Sequence, residues 1–171
     1  MAIHNKTHPI EIVKAAQPDA VVASSVMIDA ACRLKERGEA LWKEEELTPE
    51  QLIDQIAAGR LYLIKKNGMT VGTVLFQWED ELYWPDMPGG DAAYIHKLVL
   101  IKDVAGSGIG KEVIAWARGM AVKAGRKYLR LDCEAHRSRL CAYYESAGFI
   151  LHSKRQVGSQ YLARYEMDIE D

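Results

Sequence analysis

Hydrophobic residues recur along the chain with two periods, and each period predicts one kind of element. Alternation of apolar and polar residues predicts a short strand around Ile10 to Ala15. A spacing of three to four residues then places Val22, Val26 and Ala30 on one face of a helix. Gly38 is expected to end that helix, because glycine readily adopts the left-handed conformation that follows a helix.

The stretch LTPEQLIDQIAAG carries the signals of a second helix. Thr48 is a candidate N-cap, and Pro49 suits the first helical position. Gln51 is expected to complete a capping box with Thr48, and Gly59 is expected to end the helix.

A β-hairpin is predicted next. The segments LYLIKK and MTVGTVLFQW are rich in strand-forming residues and lie on either side of Asn67 and Gly68. This pair favours a type I′ turn, because both central residues of such a turn must accept a positive φ.

The second half of the chain begins with a strand and a helix. The segment AYIHKLVLI is a nearly continuous apolar run of strand length, which predicts a central strand covered on both faces. A glycine-rich loop follows, and then a helix that is expected to end at Gly125. The predicted apolar face of this helix consists of Ile109, Val113, Trp116, Ala117, Met120 and Ala124.

Three strands and one short helix complete the pattern. The strand KYLRLDC precedes the helix SRLCAYYESA, which is expected to end at Gly148. FILHSKRQV is the next strand, and a turn at Gly158 leads into the last one. The residues expected on one side of these strands are Leu129, Leu131 and Cys133 in the first and Tyr161, Ala163, Tyr165, Met167 and Ile169 in the last. The predicted order is βααβββαβαββ, and residues 1–171 are expected to form a single domain because no repeat or linker divides them.

Composition and charge exclude several classes of protein. The 171 residues are 49% hydrophobic and 27% charged, and the formal net charge is -2. A chain of this size buries enough surface for a core, and it lacks the basic surplus of nucleic-acid-binding proteins. It contains no run of about 18 apolar residues and no signal-peptide core, so we expect no membrane association and a cytoplasmic location.

The cysteines and histidines predict neither a disulfide framework nor a metal site. Cys32, Cys133 and Cys141 are odd in number and form no CxxC pair, which favours a reducing compartment. His4 and His8 have helical spacing, but they lie close to the N-terminus, where fraying is expected.

A glycine-rich loop is the first candidate for chemistry. Its three glycines are Gly106, Gly108 and Gly110. A phosphate-binding P-loop requires glycine at 105 and Ser or Thr at 112, whereas this chain has Ala105 and Glu112. A dinucleotide fingerprint requires a third glycine where the chain has Lys111. The remaining interpretations are a helix-entry loop without a ligand, or a loop whose backbone N–H groups and helix dipole bind an anion such as a pyrophosphate.

The stretch from Tyr94 to Phe149 resembles the GNAT superfamily of N-acetyltransferases. The resemblance lies in the strand from Leu98 to Leu100, the GxG loop from Gly108 to Gly110 and the YYExxGF ending from Tyr143 to Phe149. It implies an α/β (α+β) fold, with a mixed, mostly antiparallel sheet of six to seven strands flanked by helices. It also implies acetyl-coenzyme A as acyl donor.

The resemblance also implies which residues bind the coenzyme. The expected set is Leu98, Val99, Leu100, Ala105, Gly106, Ser107, Gly108, Ile109, Gly110, Lys111, Arg137 and Tyr143. Two of these positions depart from the family pattern. Ala105 stands where Gln or Arg is usual, and Arg137 stands where many members have Asn.

Acetyl transfer to an amine requires an oxyanion contact, a proton for the leaving thiolate and a base. The resemblance implies a backbone N–H at Val99 or Leu100 for the oxyanion and Tyr144 as general acid. For the base we rank His96 first. It alternates with Leu98 and Leu100 on one strand face, where a core histidine is the alternative interpretation. Glu134 is also a candidate, because it lies just past the strand expected to separate from this one. Glu79 and the run Glu44, Glu45 and Glu46 are further candidates.

The leading hypothesis is an N-acetyltransferase that acetylates a small amine directly, such as an amino acid, a polyamine or an aminoglycoside-like molecule. A non-catalytic acyl-coenzyme A binding module and a P-loop nucleotide enzyme are the alternatives. Trp42, Trp78, Tyr83 and Trp84 are candidates for the acceptor pocket, and Glu79, Asp80 and Glu81 suit a cationic amine. A homodimer formed through the C-terminal strand is a further possibility.

Overall fold

The computed structural model describes residues 9–169, which form four helices and seven strands. The helices are α1 (Ala20–Glu36), α2 (Pro49–Ala57), α3 (Ile109–Lys123) and α4 (Ser138–Ser146). The strands are β1 (Glu11–Lys14), β2 (Leu61–Lys66), β3 (Met69–Gln77), β4 (Ala92–Leu100), β5 (Tyr128–Glu134), β6 (Ile150–Val157) and β7 (Gln160–Asp168). The predicted order of helices and strands is confirmed. His4 and His8 lie outside the described residues.

The seven strands are hydrogen-bonded in the order β1-β2-β3-β4-β5-β7-β6. Strands β4 and β5 pair in parallel, whereas β1 with β2, β2 with β3, β5 with β7 and β6 with β7 are antiparallel. The expected mixed, mostly antiparallel sheet is therefore confirmed. The C-terminal strand β7 lies inside the sheet, so the expectation that it offers an exposed edge for a dimer is wrong. Its neighbour β6 is one of the two edge strands, the other being β1, and Ile150 of β6 is 75% exposed.

The chain groups into two compact units, residues 1–75 with 97–110 and residues 76–96 with 111–171. In the first unit, apolar residues of α1 and α2 pack against β2 and β3. The largest fully buried members of this core are Met27, Leu47, Leu52, Leu61 and Leu63. In the second unit, Leu129, Leu131 and Cys133 of β5 are buried as predicted, and Trp84 is buried beside Tyr94.

Several predicted details of the helices differ from the structure. Val22 is 38% exposed, because the buried face of α1 is formed by small residues such as Ala23 together with Met27. In α3 the last predicted apolar residue, Ala124, is exposed, and Ala121 is buried instead. Local spacing places residues on a face but does not decide which part of that face the sheet covers.

The sequence predicts the hairpin turn between β2 and β3 more accurately than it predicts the N-cap of α2. Asn67 and Gly68 have φ angles of 52° and 75°, as a type I′ hairpin turn requires. Pro49 begins α2, but Thr48 makes no side-chain cap hydrogen bond, so the predicted capping box is wrong. The Thr48 carbonyl instead accepts the backbone N–H of Gln51 at 3.0 Å.

The alternation predicted for the last strand is only partly present. Tyr161 is 53% exposed, whereas Leu162 and Arg164 on the other side are buried. Arg164 is buried because its guanidinium binds Asp86 through two hydrogen bonds of 2.6 and 3.0 Å. A hydropathy pattern does not predict a buried ion pair of this kind.

Strand β4 contains a backbone irregularity at Lys97, which has a φ of 45°. Residues other than glycine rarely adopt this left-handed conformation inside a strand. It interrupts the predicted alternation of His96 with Leu98 and Leu100. Among residues 9–169, no helix has the length and apolar composition needed to cross a bilayer.

Candidate active site

The glycine-rich loop forms an open turn at the start of α3. Gly106 and Gly108 have φ angles of 77° and 92°, and a Cβ atom added to either would meet nothing within 4 Å. These glycines are therefore required by backbone conformation, not by lack of space. The hydroxyl of Ser107 donates to the carbonyl of Val104, which holds the turn closed.

The same loop fits a diphosphate. The first four N–H groups of a helix have no partner within the helix, and in α3 they begin at Ile109. Together with about half a positive charge from the helix dipole, they form a site suited to phosphate oxygens. Residues 105–108 are exposed, so an anion can approach the backbone.

The second half of β4 is held firmly within the first unit. Val99 is buried against Val26 and Ala30 of α1. The carbonyl of Leu100 accepts a hydrogen bond of 2.8 Å from the guanidinium of Arg33, which also pairs with Asp29 at 3.0 Å. The Leu100 carbonyl is therefore already bonded inside the protein, whereas the prediction assigned the backbone of Leu98, Val99 and Leu100 to the coenzyme.

Tyr144 lies on α4 and is half-buried among aromatic rings. Its ring centroid is 5.5 Å from that of Tyr143, 6.1 Å from that of Phe149 and 6.3 Å from that of Tyr165. Among the described residues its hydroxyl has no hydrogen-bond partner. Burial is the main cause that raises the pKa of Tyr144, and the charge of Asp132 adds to it. The phenol therefore stays protonated at neutral pH, which is the state that a proton donor requires.

Two residues predicted to bind the coenzyme lie beside the end of α4. Burial raises the pKa of Tyr143, whose carbonyl accepts a hydrogen bond of 2.7 Å from the hydroxyl of Ser146. The ammonium of Lys111 donates to the carbonyl of Ser146 at 3.3 Å. Lys111 thus stabilises the C-terminal end of α4, where carbonyl groups carry partial negative charge.

Glu134 and Arg137 form an ion pair with each other. Arg137 Nε donates to Glu134 Oε2 at 2.7 Å, and the two side chains are 11% and 21% exposed. His136 approaches the same carboxylate oxygen at 3.8 Å. This oxygen of Glu134 is therefore already engaged by a guanidinium N–H. This arrangement favours His96 over Glu134 as the base.

His96 lies between two buried carboxylates. Its Nε2 is 2.7 Å from Asp80 Oδ2, and its Nδ1 is 3.8 Å from Asp132 Oδ2. The other oxygen of Asp80 accepts the backbone N–H of Tyr83 at 3.0 Å, so both oxygens of Asp80 are bonded. A carboxylate fixed in this way favours the tautomer in which Nε2 carries the proton.

Asp132 is the second carboxylate, and burial is the largest cause that raises its pKa. Its side chain is 8% exposed, and Oδ2 has no hydrogen-bond partner among the described residues. The indole N–H of Trp84 lies close enough to favour the ionised carboxylate, although Nε1 also lacks a hydrogen bond there. The positive charge of His96 is the strongest influence that lowers the pKa of Asp132.

Asp80, His96 and Asp132 are side chains of the types that bind metal ions, and their ligand atoms lie within 4.8 Å of one another. The two carboxylates approach different ring nitrogens, however, and an imidazole binds a metal through one nitrogen. The arrangement therefore suits a histidine held between carboxylates better than a metal centre.

The sequence singled out His96 but not Asp132. Asp132 occupies a polar position between the buried residues Leu131 and Cys133, and such positions on a strand usually face solvent. Only the pairing of β4 with β5, which begins at Ala92 opposite Tyr128, brings Asp132 beside His96. A lone acidic residue between apolar positions near a predicted site is the one signal that could have identified it.

Some of the candidate acceptor residues lie at two cavities, whereas Trp78 and Tyr83 line neither of them. In the first unit, Trp42, Lys35, Glu44 and Glu45 line a cavity of about 340 Å³. In the second, the cavity is about 210 Å³, and its lining comprises Glu79, Asp80, Glu81, Trp84, Pro85, Met87, Gly89 and Tyr94. The carboxylate of Glu79 already accepts the backbone N–H of Gly90 at 3.2 Å and lies 3.6 Å from Arg126.

Comparison with known proteins places the chain in a family. The model of the Acetyltransferase (GNAT) family matches residues 27–149, which include the loop, β4 and α4. The chain belongs to the Acetyltransferase (GNAT) family. The predictions of a GNAT N-acetyltransferase and of an acetyl-transferring enzyme are thereby confirmed at the level of the family.

Individual GNAT relatives agree with this assignment. The chain is 25% identical to the uncharacterized N-acetyltransferase YesJ of Bacillus subtilis (strain 168) over an alignment of 140 residues, with coverage of 77% of this chain and 76% of YesJ. A GNAT acetyltransferase from Listeria monocytogenes 4b F2365 has a similar structure, with a TM-score of 0.77 at 21% identity, covering 93% of this chain and 94% of its own. The PaiA N-acetyltransferase from Thermoplasma acidophilum, solved in complex with coenzyme A, gives a TM-score of 0.71 at 17% identity, covering 94% and 99%.

Proposed function

We propose that the protein transfers acetyl from acetyl-coenzyme A directly to the amine of a small molecule. The observation that carries the proposal is the open glycine loop at the start of α3, which lies within the part of the chain that the family model matches. We also infer that residues 1–171 act as one acetyltransferase domain, because the match runs through sequence belonging to both units.

The loop residues Ala105 to Lys111 are proposed to bind the diphosphate of the coenzyme through their backbone. The peptide groups of Leu98 and Val99 and the N–H of Leu100 are proposed to bind its pantetheine arm, with a backbone N–H for the developing oxyanion. The Leu100 carbonyl is left out because Arg33 binds it. When bound, the coenzyme supplies the acetyl group as a thioester. The protein's part is to orient that group and to exclude water from it.

Tyr144 is proposed to give its proton to the departing thiolate. Its raised pKa keeps the hydroxyl protonated, and no other described group competes for that hydroxyl. His96 is proposed to accept the proton of the acceptor amine at Nδ1, because Nε2 is fixed on Asp80. An alkyl ammonium with a pKa near 10.4 is neutral in about one molecule in 2500 at pH 7, so a base is needed.

The acceptor is proposed to be a small amine that is positively charged at neutral pH. The cavity of about 210 Å³ beside Trp84 carries the acidic residues Glu79, Asp80 and Glu81 in its lining. Its volume is suited to a small amine and not to a large antibiotic.

A binding and turnover assay tests the proposed function. Titration calorimetry with acetyl-coenzyme A is expected to show binding, and thiol release is expected with at least one member of a panel of amines, amino acids, polyamines and aminoglycosides. Binding without turnover across the panel would favour a non-catalytic coenzyme-binding module. No binding at millimolar acetyl-coenzyme A would end the proposal.

A charge introduced into the loop is expected to weaken coenzyme binding selectively. Ser107→Glu places a carboxylate beside the proposed diphosphate, so the Kd for coenzyme A should rise by about tenfold or more at low salt, and by less at high salt. Calorimetry with pantetheine, which lacks the diphosphate, serves as the internal comparison. The Kd for pantetheine should be the same in Ser107→Glu as in the wild-type protein.

The matched control is Ala124→Glu, which adds the same charge at an exposed position beyond the other end of α3. Its Kd for coenzyme A should equal that of the wild-type protein. Equal weakening of pantetheine and coenzyme A binding by Ser107→Glu would contradict the assignment of the diphosphate to this loop.

A further inference from the structure

Two carboxylates approach the imidazole of His96, but they are held in different ways. Asp80 is fixed by two hydrogen bonds, one to His96 at 2.7 Å and one from the Tyr83 N–H at 3.0 Å. Asp132 Oδ2 lies 3.8 Å from the other ring nitrogen, too far for a hydrogen bond, and has no partner among the described residues. Both oxygens of Asp80 are thus hydrogen-bonded, whereas Oδ2 of Asp132 is not.

Within residues 9–169, the surroundings of Asp132 offer no other cation that can take this role. Arg164 lies opposite Asp132 in the pairing of β5 with β7. Its guanidinium is committed to Asp86, to the carbonyl of Tyr83 and to the hydroxyl of Ser153. A buried carboxylate oxygen without a hydrogen bond opposes folding, so a donor to Asp132 Oδ2 would be favourable.

We infer that Asp132 is a positioning residue of the proposed reaction, acting as the counter-ion that receives Nδ1–H when His96 becomes protonated. The inference rests on the proposed function. His96 takes a proton from the acceptor ammonium at Nδ1, which leaves a neutral amine and an imidazolium. The new Nδ1–H then donates to Asp132 Oδ2, after a small closure of the 3.8 Å separation. The amine forms its C–N bond with the thioester carbonyl, and the C–S bond breaks. Tyr144 protonates the thiolate, the amide nitrogen gives its second proton to the Tyr144 phenolate, and the His96 imidazolium releases its proton to solvent.

The charged groups around this pair favour the same assignment. His96 faces Asp80, Asp132 and the ring of Tyr83, whose centroid is 5.4 Å away. Asp132 faces His96, Asp80 and Arg164, and it lies within electrostatic reach of Tyr144. Two carboxylates beside one imidazole attract its positive charge once the ring is protonated.

The test is the titration of His96 in Asp132→Asn, followed by NMR of the histidine ring protons. The chain has five histidines, so the His96 signal is assigned by its loss in His96→Gln. Removal of the negative charge should lower the titration midpoint of His96 by about one pH unit or more. The acid limb of the kcat/KM profile should move in the same direction, while the KM for acetyl-coenzyme A stays constant.

Thermal stability supplies a second readout. Removing the Asp132 charge should keep or raise the stability of the protein, whereas removing a purely structural residue should lower it. Because burial raises the pKa of Asp132 in the folded state, its ionisation opposes folding as the pH rises above the value of the unfolded chain. The neutral amide of Asp132→Asn avoids this cost, so the variant should be as stable as the wild-type protein at pH 7, or more stable. A residue with a purely structural role would lose stability and leave the His96 titration unchanged.

Controls separate this inference from the proposed function. Asp54→Asn removes an exposed carboxylate of α2 and should leave the His96 titration unchanged. Asp132→Ala removes the same charge with a smaller side chain, and gives the same readout if the Asn variant does not fold. An unshifted His96 titration in an active Asp132 variant would overturn the inference alone. Absence of acetyl transfer by the wild-type protein would overturn the proposed function.

Discussion

Replacing Tyr144 by Phe is expected to lower kcat by about 10²- to 10³-fold, the range typical of losing a general acid. The thiolate must then leave without a proton from the protein. The KM for acetyl-coenzyme A should change little, because the aromatic ring remains in its contacts with Tyr143 and Phe149. Steady-state thiol release over a range of pH measures both quantities.

The same substitution should leave the fold intact. No described residue forms a hydrogen bond with the Tyr144 hydroxyl. Removing this hydroxyl therefore leaves no unsatisfied hydrogen-bonding group among them. The control is Tyr161→Phe, which removes an exposed hydroxyl of β7 and should retain wild-type kinetics. A Tyr144→Phe enzyme with more than half of the wild-type kcat would exclude Tyr144 as the acid.

The largest loss of stability is expected from Gly72→Ala. A Cβ atom at this position of β3 would lie 2.4 Å from the carbonyl oxygen of Val99 and 2.7 Å from Leu100 Cδ2. The first of these atoms belongs to the backbone of β4, so the clash requires the strand to move. We expect a loss of about 3 kcal/mol in the free energy of unfolding, which corresponds to a fall in Tm of about 6–12 °C.

Gly119→Ala provides the matched control for that experiment. Gly119 lies within α3, and an added Cβ atom would meet nothing within 4 Å. Alanine is favoured over glycine inside a helix, so this variant should gain about 0.5–1 kcal/mol. Thermal unfolding followed by circular dichroism measures both variants. A Gly72→Ala protein that unfolds within 2 °C of wild type (about 1 kcal/mol at most) would contradict the predicted close approach of the strands.

Much of the fold could be predicted from the sequence because its signals are local. Asn67 and Gly68 specify a turn by their backbone preferences, and the period of apolar residues separates helices from strands. The glycine-rich loop and Tyr144 were recognised because they belong to contiguous motifs. Information of this kind does not depend on residues elsewhere in the chain.

The rest of the candidate site depends on contacts between distant segments. Asp80 and Asp132 are 52 positions apart, yet both approach His96. Asp80 lies in a loop and Asp132 lies on β5. No rule based on sequence spacing predicts that two such residues approach the same side chain. Arg164 is likewise buried although its side chain is charged. A hydropathy pattern does not show the carboxylate of Asp86 that balances this charge.

The left-handed backbone at Lys97 restricts how position 97 can vary over evolutionary time. Glycine, asparagine and aspartate adopt this conformation at little cost, whereas valine and isoleucine carry a branched Cβ that disfavours it. The backbone conformation therefore limits which residues are tolerated at position 97, whatever the chemistry of their side chains. Sequence diversity in homologues should be narrow there, even though lysine itself is not required.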